Sequence, residues 1–170
     1  MTRLLARLLF VSFTGFLSLG FAPQQAHAGG LMVADAWSPL APPGVRVHAA
    51  YFTLMNHSGA ERRLTGVSAE GYGGAALHET REFDGLAAMV SVAELALPPG
   101  ATARFEPGGL HVMLLQPAGP QAEGGSVALS LHFANGETLD VAATIRRHTA
   151  RSGHDHGAHH NMQHDNADGS

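Results

Sequence analysis

Residues 127–145 read VALSLHFANGETLDVAATI. Val127, Leu129, Leu131 and Phe133 alternate with small or polar neighbours up to Asn135-Gly136, and Leu139, Val141, Ala143 and Ile145 alternate on the way back. Successive side chains of a strand point to opposite faces, so this spacing lays one apolar face along two strands. Asn-Gly between such runs supplies the residues that a tight hairpin turn needs. Working outward, residues 49–55 (AAYFTLM) form a β-rich run closed by Asn56-His57-Ser58-Gly59, and residues 62–68 are expected as its partner strand. Residues 75–80 and 88–97 flank the turn signal Phe83-Asp84-Gly85. Pro98-Pro99-Gly100 breaks the chain before residues 101–106, and Pro107-Gly108-Gly109 leads into residues 110–115. No window carries sustained helical periodicity, and there is no internal repeat. Short strands at such spacings predict an all-β body over residues 31–147, built as a Greek-key β-sandwich.

Composition narrows the function. The chain has 170 residues, no cysteine and twelve histidines. Arg3 and Arg7 precede an apolar run from Leu8 to Phe21, and Ala26-His27-Ala28 offers a small-x-small cleavage site, so residues 1–28 read as a secretory signal peptide. The run is shorter than the roughly 20 apolar residues of a membrane span, and no later segment approaches one. The expected mature protein is therefore periplasmic, with one domain over residues 29–148 and a tail over 149–170. Beyond residue 28 there are 8 arginines and no lysine against 14 Asp and Glu, a net charge of −6 with histidine neutral. Nucleic acid is not expected as a partner, because phosphate binding needs a basic surface. The missing cysteine excludes a disulfide scaffold, a thiolate zinc site, an iron–sulfur cluster and a blue-copper centre. A metal would have to be held by histidine, methionine or carboxylate.

One constellation fits that limit. In His111-Val112-Met113 the first and third side chains share a strand face, while Val112 and Leu114 turn to the core. A hairpin folded at Phe83-Asp84 is expected to bring His78 and Met89 opposite each other. Each unit offers one histidine and one methionine, a neutral set of two nitrogens and two sulfurs. Thioethers are soft donors that favour Cu(I) over zinc, magnesium or calcium, and four protein ligands leave no open position for a substrate.

The spacing H-x10-M-x21-H-x-M, with Ala36-Trp37, Ala49-Ala50-Tyr51-Phe52, Leu77-His78-Glu79 and the run Pro107-Gly108-Gly109-Leu110-His111-Val112-Met113-Leu114 around it, resembles the PCu(A)C family of periplasmic copper chaperones. The resemblance covers residues 31–147. It implies a cupredoxin-like β-sandwich that binds Cu(I) through His78, Met89, His111 and Met113. It further implies delivery of copper for assembly of respiratory oxidase copper centres. The partners would be a copper-accepting oxidase subunit or a thiol-bearing protein of the Sco type. Such a protein is not an enzyme, and the chain carries no H-E-x-x-H or G-x-S-x-G motif. It is expected to act as a monomer.

From Thr149 onward Gly, Asp, Asn, Ser and His dominate, and the tail is expected to be disordered. His154, His156, His159, His160, Met162 and His164 make it a second, looser metal site suited to Cu(II), zinc or nickel, like the extensions some family members carry. The alternative function is general periplasmic scavenging or buffering of Cu(II), zinc or nickel through this tail. An adhesion-type sandwich, in which Met89 and Met113 merely fill space, is a further reading. His48, His57, His132 and His148 have no partner visible in the sequence and read as surface residues.

Overall fold

Eleven strands follow one another along residues 26–148, the part of the chain that the computed structural model describes. They are Ala26–Ala28 (β1), Leu31–Pro39 (β2), Val47–Asn56 (β3), Arg62–Ala69 (β4), Tyr72–Phe83 (β5) and Leu86–Ser91 (β6). Leu95–Leu97 (β7), Thr102–Phe105 (β8), Leu110–Pro117 (β9), Ser126–Phe133 (β10) and Thr138–Arg146 (β11) complete the set. No helix occurs among the described residues. Of the expected signal over residues 1–28, residues 1–25 lie outside them, as do the tail residues His154, His156, His159, His160, Met162 and His164, whereas its last three residues, Ala26–Ala28, pair with β2 as β1.

The Asn135-Gly136 hairpin forms as its alternation demands. β10 and β11 pair antiparallel with Leu131 opposite Leu139 and Leu129 opposite Val141. Val127, Leu129, Leu131, Phe133, Leu139, Val141, Ala143 and Ile145 are all buried. Gly136 takes a φ of 83°, a region that costs other L-residues energy, and Asn135 Oδ1 accepts the Glu137 N–H at 3.1 Å.

The strands follow one hydrogen-bonded path, β6-β5-β9-β8-β3-β2-β11-β10-β4-β7, with β1 on β2 and an extra pairing of β9 with β3. β2 turns the corner. Its first half pairs antiparallel with β3, its last residues pair parallel with β11, and the register shifts between Ala34 and Trp37. Asp35 in that bulge has a φ of 54°. Bulges bend a strand and add twist, and past this one the path doubles back. Phe52, Leu54, Phe105, Val112 and Leu114 from one half then share a single core with Leu64, Leu129, Leu131 and Val141 from the other.

Two expectations about strands are corrected. β4 does not pair with β3; its neighbours are β10 and β7. The cause is Asn56, fully buried at the end of β3. Its Nδ2 donates to the carbonyls of Ala60, Leu97 and Pro98 at 2.8, 2.9 and 3.2 Å, and its Oδ1 accepts from Ser58 N and Oγ. The turn is thereby tied to the β7 end, and the chain crosses to the other layer instead of folding back beside β3. Residues 88–97 are likewise not one strand. They divide into β6 and β7, which lie at opposite ends of the path.

Candidate metal centre

β5 and β9 run antiparallel with His78 directly opposite His111 and Ala76 opposite Met113. Directly opposed residues share a face, as do residues two apart. His78, His111 and Met113 therefore stand on one face, while Leu77, Val112 and Leu114 on the other face are buried in the core. The two imidazole rings lie 6.1 Å apart, centroid to centroid, and are inclined by 26°. β9 is flanked by β5 and β3, so His111 and Met113 sit on a strand held from both sides.

Hydrogen bonding fixes which nitrogens are free. His111 Nδ1 lies 2.9 Å from the Gly109 carbonyl. A carbonyl only accepts, so Nδ1 carries the proton and Nε2 keeps its lone pair. The same carbonyl accepts the Thr80 N–H at 3.1 Å, which ties the His111 ring to β5. Gly108, with φ 83°, turns the chain so that this carbonyl can face both groups. His78 Nδ1 is buried and has no hydrogen-bond partner, the one such side-chain atom among the described residues. Buried polar atoms are nearly always satisfied, and an ion between the two rings would satisfy this one.

Met89 reaches the same face by a different register from the one expected. Asp84 and Gly85 both have positive φ, 51° and 79°, the signature of a two-residue hairpin turn with Phe83 paired to Leu86. Met89 then lies opposite Thr80, and His78 lies opposite Ser91. The offset is two residues, an even number, so Met89 stays on the face of His78 and His111 and sits diagonal to His78 at a reach of about 7–8 Å between backbones. Its side chain is 64% exposed, whereas His111 is 7% exposed.

Met89, His111, Met113 and Thr80 border a cavity of about 420 Å³, together with Val47, Ala49 and Tyr51 of β3 and the loop from Pro39 to Val45. Its walls are mostly apolar. Burial pushes the Tyr51 hydroxyl above the ordinary phenol range, so it remains protonated. Among the described residues no three His, Cys, Asp or Glu side chains gather to hold an ion. The soft and nitrogen donors that the strand pairing puts on this face are the imidazoles of His78 and His111 and the thioethers of Met113 and Met89.

His48 was missed. It is 6% exposed rather than a surface residue, because it belongs to the inward set of β3 with Ala50, Phe52, Leu54 and Asn56. Its Nε2–H donates to the Val45 carbonyl at 3.2 Å, which leaves Nδ1 to accept the Tyr72 hydroxyl at 3.0 Å. Gln121 Nε2 donates to Tyr72 and to Ser38 Oγ, both at 3.1 Å, while Gln121 Oε1 accepts the Ala41 N–H at 3.0 Å. This network holds both ends of the loop that walls the cavity. Burial, outweighing the Gln121 hydrogen bond, pushes the Tyr72 hydroxyl up. Period-two counting along β3 could have found His48. Of the other three histidines, His57 and His148 are exposed and His132 is half-buried. His132 Nε2 bonds to Ser68 Oγ at 2.9 Å, and His148 stacks 5.3 Å from Trp37.

Comparison with known proteins agrees with this architecture. A relative from Leifsonia xyli subsp. xyli, Lxx21020, whose name describes it as a lipoprotein, is 28% identical over 121 residues, covering 71% of this chain and 72% of the relative. The solution structure of apo-DR1885 from Deinococcus radiodurans is 29% identical with a TM-score of 0.56, covering 87% of this chain and 97% of that one. The Cu(I) form of DR1885 is 34% identical with a TM-score of 0.54, covering 66% and 75%. The copper-bound PCuAC domain from PmoF2, at 18% identity and a TM-score of 0.62, covers 74% of this chain and 99% of its own, and its likeness is one of fold. The family model described as LpqE-like matches residues 31–145, from the start of β2 to the penultimate residue of β11. The chain belongs to the LpqE-like family, within the group of PCuAC domains.

Proposed function

We propose that this protein is a periplasmic copper chaperone that binds one Cu(I) through His78, Met89, His111 and Met113. The observation that carries the reading is the pairing of His78 and His111 across β5 and β9. One of these rings has a buried, unpartnered nitrogen and the other a tautomer that frees Nε2. Two neutral imidazoles and two thioethers match the softness of Cu(I) and offer nothing to a hard cation. The solved Cu(I) form of DR1885 is consistent with this cargo. The copper would be delivered for assembly of respiratory oxidase copper centres, to an oxidase subunit or a Sco-type protein. Residues 1–28 act in this reading as the export signal. Residues 149–170 act as an accessory tail in which His154, His156, His159, His160, Met162 and His164 hold Cu(II).

The test is Cu(I) retention by the full chain against a competing chelator under reducing conditions. His111→Ala should lose the bound ion while remaining folded. A variant with the five tail histidines replaced by alanine should keep one Cu(I) per chain. Retention by the first variant and loss by the second would transfer the function to the tail and overturn the reading.

A further inference from the structure

The four donors are not held alike. His78, His111 and Met113 stand on β5 and β9, strands paired on both sides. Met89 stands on β6, the last strand of the path, which has a neighbour on one side only. The pairing of β5 with β9 ends at Glu79 opposite Leu110, whereas β5 and β6 continue together to Phe83 and Leu86. Residues 81–88 are thus an overhanging two-stranded arm, with Thr80 and Met89 paired at its base. Phe83 and Leu86 on the arm and Met89 at its base are 52%, 74% and 64% exposed. The tight turn makes Phe83 and Leu86 a hydrogen-bonded pair, and such pairs alternate along an antiparallel ladder. The Val92 N–H bonded to Leu77 and the Thr80 N–H bonded to Gly109 fit that alternation. The backbone N–H and C=O of Met89 therefore point away from β5, to the open edge.

We infer that Met89 is the exchange ligand: copper enters and leaves by making and breaking its bond to the Met89 thioether, while His78, His111 and Met113 hold the ion until the second partner has engaged it. This rests on the ligand set proposed above and adds an order to it. The incoming donor approaches between Met89 and the loop from Pro39 to Val45, where the cavity is bounded by Val45, Val47 and Tyr51. Apolar walls favour a soft, uncharged donor over a carboxylate. In the step one copper–sulfur bond to Met89 breaks as one bond to the incoming donor forms. The ion stays Cu(I), the thioether leaves as a neutral group, and no electron is transferred. An incoming thioether brings no proton to lose; an incoming thiol releases its proton to water. Met89 suits this role because ordering an exposed, three-torsion side chain on an edge strand costs conformational entropy that a preorganised ligand does not incur.

The experiment uses the full chain loaded with Cu(I) and bicinchoninate as the acceptor, with transfer followed as a function of chelator concentration. In the native protein the rate should rise linearly with bicinchoninate. Met89→Leu should lower Cu(I) affinity by about tenfold and raise the second-order transfer constant by a similar factor. Met113→Leu should lower affinity by about a hundredfold through faster chelator-independent release, leaving the second-order constant within about threefold. Circular dichroism of both variants establishes that each is folded. Equal effects of the two substitutions, or a second-order constant raised by Met113→Leu alone, would overturn the exchange assignment and leave the ligand set standing. No loss of affinity in either variant would overturn both.

Discussion

Asn56 and His48 are the two polar side chains on which the surroundings of the site depend most. Asn56 saturates its amide with five hydrogen bonds, three of them to backbone carbonyls of the β7 end and the turn. Asn56→Ala removes the side-chain donor to the carbonyl of buried Leu97 and the acceptor of Ser58, and an unfolding midpoint series in urea should show a loss of about 2 kcal/mol. His48→Leu removes the acceptor of Tyr72 and the donor to Val45, and amide exchange should quicken in residues 40–46 while the β10–β11 hairpin is unaffected. The tyrosines carry a pH dependence. Tyr51 and Tyr72 have hydroxyls raised by burial, so the unfolded chain ionises first, and the stability from burying neutral phenols is present below about pH 10 and lost above it. Tyr51→Phe should make the alkaline fall in stability shallower, as read by denaturant titration between neutral and alkaline pH. Both polar residues were legible in principle: counting by twos from Phe52 reaches His48 in one direction and Asn56 in the other. Their partners were not, since Tyr72, Gln121 and Leu97 come close only after the sheet has folded.

At the scale of elements, the β5–β6 hairpin shows what pattern reading can and cannot decide. Phe83-Asp84-Gly85 marked the turn, with the fold expected at Phe83-Asp84, and the parity of His78 and Met89 put both on one face. The register depended on which residues occupy the two turn positions, and an error of two residues along the ladder left the facing intact. An error of one would have sent Met89 to the side of Phe83 and Leu86. By contrast, nothing local in residues 56–62 distinguishes a hairpin return from a crossing between layers. That choice is made by the Asn56 side chain reaching Leu97, forty-one residues on. The positive φ of Gly85, 79°, makes a prediction for the arm. Gly85→Val places a β-branched residue in a left-handed position at a cost of about 1–2 kcal/mol. Because the arm overhangs the core, the melting temperature should move little. Amide exchange in residues 86–91 should accelerate, and Cu(I) affinity should drop toward that of Met89→Leu. An unchanged affinity would show that the arm need not be ordered for the ion to bind.

Across the whole molecule, the proposed metal face and the Asn135-Gly136 hairpin belong to different halves of the path, joined through β2 and β3 and by one shared core. A ligand that binds only the folded state stabilises the whole cooperative unit by about 4 kcal/mol at a thousand times its dissociation constant. For a body of this size that corresponds to a rise in melting temperature on the order of 10 °C. Cu(I) loading should therefore raise the melting temperature of the native chain and of the tail-histidine variant alike, and should leave that of His111→Ala unchanged. The distribution of the effect tests the architecture. Phe52 stacks on Phe105 at 4.2 Å between ring centroids, and both share the core with Leu129 and Leu131 of β10, so no apolar seam divides the halves. The most protected amides of β10 and β11 exchange only through global opening in such a unit. Copper bound at His78 and His111 should slow their exchange by the same factor as those of β5 and β9. Slowing confined to β5, β6 and β9 would mean that the two layers open separately and that the metal face is a local unit resting on an independent hairpin.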